Sequence, residues 1–149
     1  MFKNTWKGVF IIYLFILFIF VVIKFDGNIM SVINTIQMNK SRGTSVNLVP
    51  FRTIGAYLSD IQYGVYLINI LGNIIPFIPM GFLLPMAFPI QRNLTRTMFT
   101  CFLLIASIES FQLLSYLGSF DIDDFILNFF SCFIGFMLFI TYQKVVASK

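Results

Sequence analysis

Residues 61–90 run for thirty positions without a charged side chain and contain Pro76, Pro79, Pro85 and Pro89. As one straight helix the run would be about 45 Å long, well beyond a hydrocarbon core of about 30 Å. Proline removes a backbone donor and crowds the preceding turn. The spacing therefore predicts a membrane helix that kinks near residues 75–80 and ends near Pro85. Composition agrees: 11% of residues are charged and 58% hydrophobic, where a soluble domain carries about 25% charged residues. At 149 residues, the chain has room for a single domain, 1–149.

Three more stretches are long and apolar enough to cross a bilayer: residues 8–23, 97–117 and 124–142. The first follows Lys3 and Lys7, as a secretory leader would. Lys24, Phe25 and Asp26 follow it in place of a small-residue cleavage site, so the segment is read as retained. Residues 26–60 are polar and mixed and read as a loop, with residues 46–54 as a short extended piece at the interface. Short links, 91–96 and 118–123, join the later spans. The expected fold is an all-α integral membrane protein in the cell membrane, with about four transmembrane helices, the second broken by proline.

Lys and Arg set its direction. With both ends inside, Lys3, Lys7, Arg92, Arg96, Lys144 and Lys149 lie on the inner side, mostly on very short segments. Lys24, Lys40, Arg42 and Arg52 lie outside on the one long loop. That density bias favours an N-in, C-in arrangement.

The same residues exclude several functions. There is no His, and Cys101 and Cys132 fall in apolar segments without neighbouring ligand residues, so no metal site is expected. No cofactor-binding motif is present. A net charge of +4 scattered over loops and ends fits membrane topology and anionic-lipid contact, not nucleic acid.

Glu109 is the one acid inside a membrane-length stretch, and an isolated carboxylate in hydrocarbon costs several kcal/mol. It has company. Gln112 is three residues on and shares its face; Asn69 and Asn73 are four apart on the second span; Asp124 and Asn128 are four apart on the fourth. At 1.5 Å per residue, Glu109 lies roughly 12 Å below the outer surface, Gln112 roughly 8 Å, Asn128 roughly 6 Å, and Asn69 and Asn73 roughly 12–18 Å. All fall in the outer half of the bilayer. Two roles compete for them: amide and carboxyl glue between helices, and a pocket open to the outside. Asp121 also suits the N-cap of the fourth span after a stop at Gly118, with Asp123 and Asp124 complementing the positive helix end. The proline break frees carbonyls that neighbours, water or a ligand must satisfy.

Four elements carry a resemblance. Asn47-Leu48-Val49-Pro50-Phe51 stands in the long loop. The run from Asn73 through Pro76, Phe77, Pro79 and Gly81 to Pro85 lies on the second span. Glu109-Ser110-Phe111-Gln112 lies on the third. Asp121-Ile122-Asp123-Asp124, followed by Asn128 and Gly135, opens the fourth. In this order and spacing, over residues 46–135, the chain resembles the VanZ-like family. Gly118 and Ser119 stand where many relatives place an Arg, and Ser131 where a Gly is usual; Arg52 is a candidate substitute for the missing counter-charge. The resemblance implies a role in glycopeptide resistance, since the family is named for a protein that lowers susceptibility to teicoplanin. It also implies a pocket of Glu109, Gln112, Asp121, Asp124 and Asn128, closed by Asn47, Arg52 and Asn73. Membrane lipids and a lipid-linked or cell-wall ligand on the outer face are the expected partners. A membrane enzyme acting on a lipid-linked envelope molecule and a small lipid or solute transporter remain the alternatives.

Overall fold

The computed structural model describes residues 2–23, 29–59 and 70–148. Helix α1 is Phe2–Ile23, and α2 is Ile29–Arg42. Strand β1 is Val46–Asn47 and α3 is Arg52–Ser59. Helix α4, described from Ile70, runs to Ala87. Then come α5 (Leu94–Leu114), strand β2 (Phe120–Asp121) and α6 (Ile122–Ala147). Three of these, α4, α5 and α6, are long and apolar enough to cross a membrane, and α1 holds a shorter apolar stretch, Thr5–Val21. That stretch stands at the short end of the spanning range of about 17–25 residues.

The proline break falls where the sequence puts it. A 3₁₀ turn, Ile75–Phe77, interrupts α4, and Pro79 then occupies the first turn of the continuing helix, Ile78–Ala87, where no backbone N–H is needed. Carbonyls at the break are satisfied from neighbouring helices. The Tyr13 hydroxyl of α1 donates to the Pro76 oxygen at 2.8 Å, and the Cys132 thiol of α6 donates to the Phe77 oxygen at 3.6 Å. The break is thus a packed joint. Helix α4 ends near Pro85, two residues beyond it at Ala87, so that Pro85 itself lies inside the last turn. Phe88 N–H still donates to Leu84 O at 3.0 Å. Pro89 then forces Phe88 into the extended region, at φ −127° and ψ 107°.

Helix α4 packs most extensively against α6, with α1 and α5 completing the bundle. Its core joins Phe10 and Leu17 of α1, Met80 and Leu84 of α4, Ile105 of α5 and Cys132 of α6. Cys101 and Cys132 are both fully buried, so they are helix-facing small residues. The α4–α6 contact is backbone against backbone. A Cβ on Gly81 would stand 1.9 Å from the Cys132 carbonyl oxygen, and one on Gly135 would stand 2.0 Å from that of Ile78. Small residues are what allow such an approach between membrane helices.

Two expectations need correction. Residues 26–60 are not simply a loop, since they hold α2 and α3. Ile29, Val32, Ile33 and Ile36 recur at helical spacing, a signal masked by the intervening Asn, Ser and Gln. The extended piece is only β1, which pairs in parallel with β2, Val46 opposite Phe120 and Asn47 opposite Asp121. Nor is Gly118 the stop of α5. The helix ends at Leu114, and Tyr116 takes the left-handed position, φ 59°. Its N–H meets Leu113 O at 3.3 Å, and that of Leu117 meets Gln112 O at 3.0 Å. This pair of bonds is the Schellman pattern, more often built on Gly.

Candidate functional site

The polar residues gather at the end of the bundle where α5 stops and α6 starts. Asp121 caps α6, its Oδ1 accepting from the Asp123 N–H at 2.9 Å. The same carboxylate reaches the long loop. Asn47 Nδ2 donates to Oδ1 at 3.2 Å, and the Thr53 hydroxyl donates to Oδ2 at 2.6 Å. Asn47 Nδ2 also meets the Thr53 hydroxyl at 3.1 Å, and its Oδ1 accepts from the Val49 N–H at 3.3 Å. That last bond is an Asx-type turn.

Asp123 does more than favour a helix end. It is fully buried, and Oδ1 accepts from the Phe51 N–H at 2.5 Å. Oδ2 accepts from the N–H groups of Thr53 and Ile54 at 2.8 and 3.1 Å. The first backbone donors of a helix have no intrahelical partner, and here α6 supplies the missing cap of α3. Phe51 sits just before that helix with φ 63°, a region that costs a non-glycine residue roughly 1–2 kcal/mol.

Deeper along α6 the bonds cross between spans. Asn73 Nδ2 of α4 donates to Asp124 Oδ1 at 2.5 Å. One turn on, Asn128 Nδ2 donates to Glu109 Oε1 of α5 at 3.3 Å. Glu109 and Asn128 are 3% and 2% exposed. Among the described residues the Asn128 Oδ1 is buried with no hydrogen-bond partner, an acceptor that is costly to leave unmade.

Six of the eight expected site residues, Glu109, Asn128, Asp124, Asn73, Asp121 and Asn47, are therefore tied together through the first two turns of α6. Two are not. The half-buried Gln112 serves through its main-chain carbonyl, which caps α5. Arg52 is exposed, and no described hydrogen bond runs from its guanidinium to the cluster; backbone N–H groups and the N-termini of α3 and α6 face the carboxylates instead. Asn69 lies outside the described residues. Asp123 and Thr53 are the residues that sequence reasoning passed over. Their signal was a two-residue spacing, of Asp123 from Asp121 and of Thr53 from Phe51, which acquires meaning only once β1 lies beside β2. Among the described residues no group of three or more Asp, Glu, Cys or His is disposed to hold a metal ion.

A family model described as VanZ/LLP1 matches residues 10–143, nearly the whole chain. The chain belongs to the VanZ/LLP1 family. No curated protein and no solved structure matches it. The VanZ/LLP1 match takes in all four elements noted in the sequence and extends beyond them at both ends, so α1 from Phe10 on and most of α6 belong to the family domain as well. In VanZ/LLP1 terms, all four of those elements meet here by hydrogen bonds: loop to α6, α4 to α6, and α5 to α6.

Proposed function

We propose that this VanZ/LLP1-family protein resides in the cell membrane with both termini inside. Its cluster of Asp, Asn and Glu side chains then acts on an outer-leaflet or cell-surface component, lowering the access of a glycopeptide such as teicoplanin. The observation that carries this reading is the convergence of polar groups from three spans and the long loop at one end of the bundle. The Asn128 Oδ1, an acceptor without a partner among the described residues, lies within that convergence. An apolar cleft of about 250 Å³ between α1 and α5 supports a ligand with a lipid part. Ile108 and Phe111 line it, on the same turns of α5 that carry Glu109 and Gln112.

Orientation is tested first. Ser119 is exposed on the link between α5 and α6, and the native Cys101 and Cys132 are buried. Ser119→Cys in intact cells is expected to react with a membrane-impermeant maleimide. Labelling only after lysis would place the acidic link inside and end the proposal.

The functional test compares a deletion strain, complemented by parent or variant, for teicoplanin and vancomycin susceptibility and for binding of labelled antibiotic. Glu109→Gln and Asp124→Asn are expected to lose part of the protection in a graded way. An enzymatic reading has one observation in its favour: Asp124 and the partner of Glu109 stand on adjacent turns of α6, which brings two carboxyl groups within one site. If either group is a general acid or base, its amide variant loses about 10²-fold or more in rate. A deletion that changes neither susceptibility nor antibiotic binding would remove the resistance reading.

A further inference from the structure

Residues 48–51 form an apolar tip that the other described residues leave uncovered. Leu48 is 66% exposed, Val49 55% and Phe51 65%, with Pro50 between them also exposed. An exposed run of four apolar residues is unusual enough to need a partner. This tip is not a loosely held loop. The buried Asp123 grips the Phe51, Thr53 and Ile54 N–H groups, Asn47 closes a turn beneath it, and β1 pairs with β2. Phe51 is held at a positive φ, and a backbone outlier fixed by its surroundings is a pointer to use.

Its depth is set by the same bond. Asp123 is the second residue of α6, and the apolar run of that helix begins at Phe125. The Phe51 N–H is therefore held about two helical residues, roughly 3 Å of rise, from the point where the apolar run of α6 begins. The headgroup layer is roughly 5–8 Å thick on each side, so the tip lies within it. Exposed bases flank it: Arg52 directly, and Lys40 and Arg42 at the end of α2, which Asn39 ties to the Tyr116 carbonyl at 2.8 Å.

The geometry points to residues 48–51 as a preformed wedge that seats in the headgroup–acyl boundary of the bilayer, with Lys40, Arg42 and Arg52 on anionic headgroups. The partner is a lipid surface, and Asp123 is the positioning residue that presents the wedge to it. The inference stands apart from the functional reading above, because it concerns lipid contact whatever the cluster acts on.

The chain has one tryptophan, Trp6, which makes a direct test available. Leu48→Trp and Phe51→Trp, each in a Trp6→Phe background, are reconstituted in vesicles of one part phosphatidylglycerol to three parts phosphatidylcholine. Quenching is read with acyl-brominated lipids and with iodide. Seated at the boundary, as interfacial segments are, each tryptophan is quenched by bromolipid and about threefold less by iodide than N-acetyltryptophanamide is. Replacing phosphatidylglycerol by phosphatidylcholine, or Lys40, Arg42 and Arg52 by Gln, weakens the bromolipid quenching. Asp123→Ala shifts it toward iodide. Full iodide quenching without bromolipid quenching in the parent background overturns the wedge. Protection from both quenchers does so as well, because it places the tip against protein.

Discussion

Gly135→Leu is expected to abolish accumulation of folded protein, and Gly135→Ala to lower stability by about 3 kcal/mol or more, at the upper end of overpacking costs. A Cβ at Gly135 would lie 2.0 Å from the Ile78 oxygen, 3.0 Å from the Phe82 nitrogen and 3.1 Å from the Gly81 Cα. These are backbone atoms, so no side-chain rotation can give way; α4 and α6 must separate. Gly81→Ala meets the reciprocal obstacle, with the Cys132 carbonyl oxygen at 1.9 Å and its carbon at 2.7 Å. Separation has consequences beyond packing. The Cys132–Phe77 and Asn73–Asp124 hydrogen bonds cross the same interface. The double alanine variant should cost less than the sum of the two, since the helices part only once. Thermal unfolding of the detergent-solubilised protein, followed by gel filtration, measures each. Single alanine variants that both melt with the parent would show that the two helices do not touch as described.

Much of this architecture was legible because hydrophobicity and proline act locally. Thirty uncharged residues do not favour water, and Pro76 and Pro79 disrupt a regular helix, so a membrane helix kinked near 75–80 is expected from the residues alone, and the break is found at Ile75–Phe77. Pro85 marks the helix end only to within two residues, because a proline costs an interior hydrogen bond without always ending the helix. In α4 the last turn survives through the Phe88–Leu84 bond, and the stop comes from Pro89 acting on Phe88. Tyr116 misleads. Gly118 was the obvious terminator, yet a tyrosine holds the left-handed turn because two backbone bonds to α5 over-determine it. Helix α2 was hidden for a third reason: none of its residues is buried, so its apolar spacing is diluted by polar neighbours.

The candidate site divides along the same line. Residues four apart on one helix, such as Asp124 and Asn128, share a face by geometry, and their interest could be read directly. The pairings of Asn73 with Asp124 and Glu109 with Asn128 needed the bundle. The loop partners needed more still, because Val46 meets Phe120 only through a parallel strand pair that joins segments 74 residues apart. Asp123 looked like one more acid at a helix end until three N–H groups from elsewhere in the chain were found on it.

Asp123→Ala tests how much depends on that carboxylate. Hydrogen bonds to a charged group are worth about 1.5–3 kcal/mol each, and three end on Asp123. They hold one turn together and so are not additive; a loss of about 3–5 kcal/mol is expected. The loss should be local. Once released, Phe51 has no reason to keep φ 63°, and α3, only eight residues long, is too short to persist without its cap. Limited proteolysis should therefore cut between Val46 and Ser59 in Asp123→Ala while the α4–α6 pair stays protected. Asp123→Asn should fall between parent and alanine, since an amide offers one oxygen where the carboxylate offers two. Asp124→Asn is the internal control, because an amide oxygen still accepts from Asn73 and the N–H groups of Phe51, Thr53 and Ile54 end on Asp123 instead. If Asp123→Ala leaves the loop as resistant as Asp124→Asn does, the loop is held by something other than the carboxylate at the head of α6.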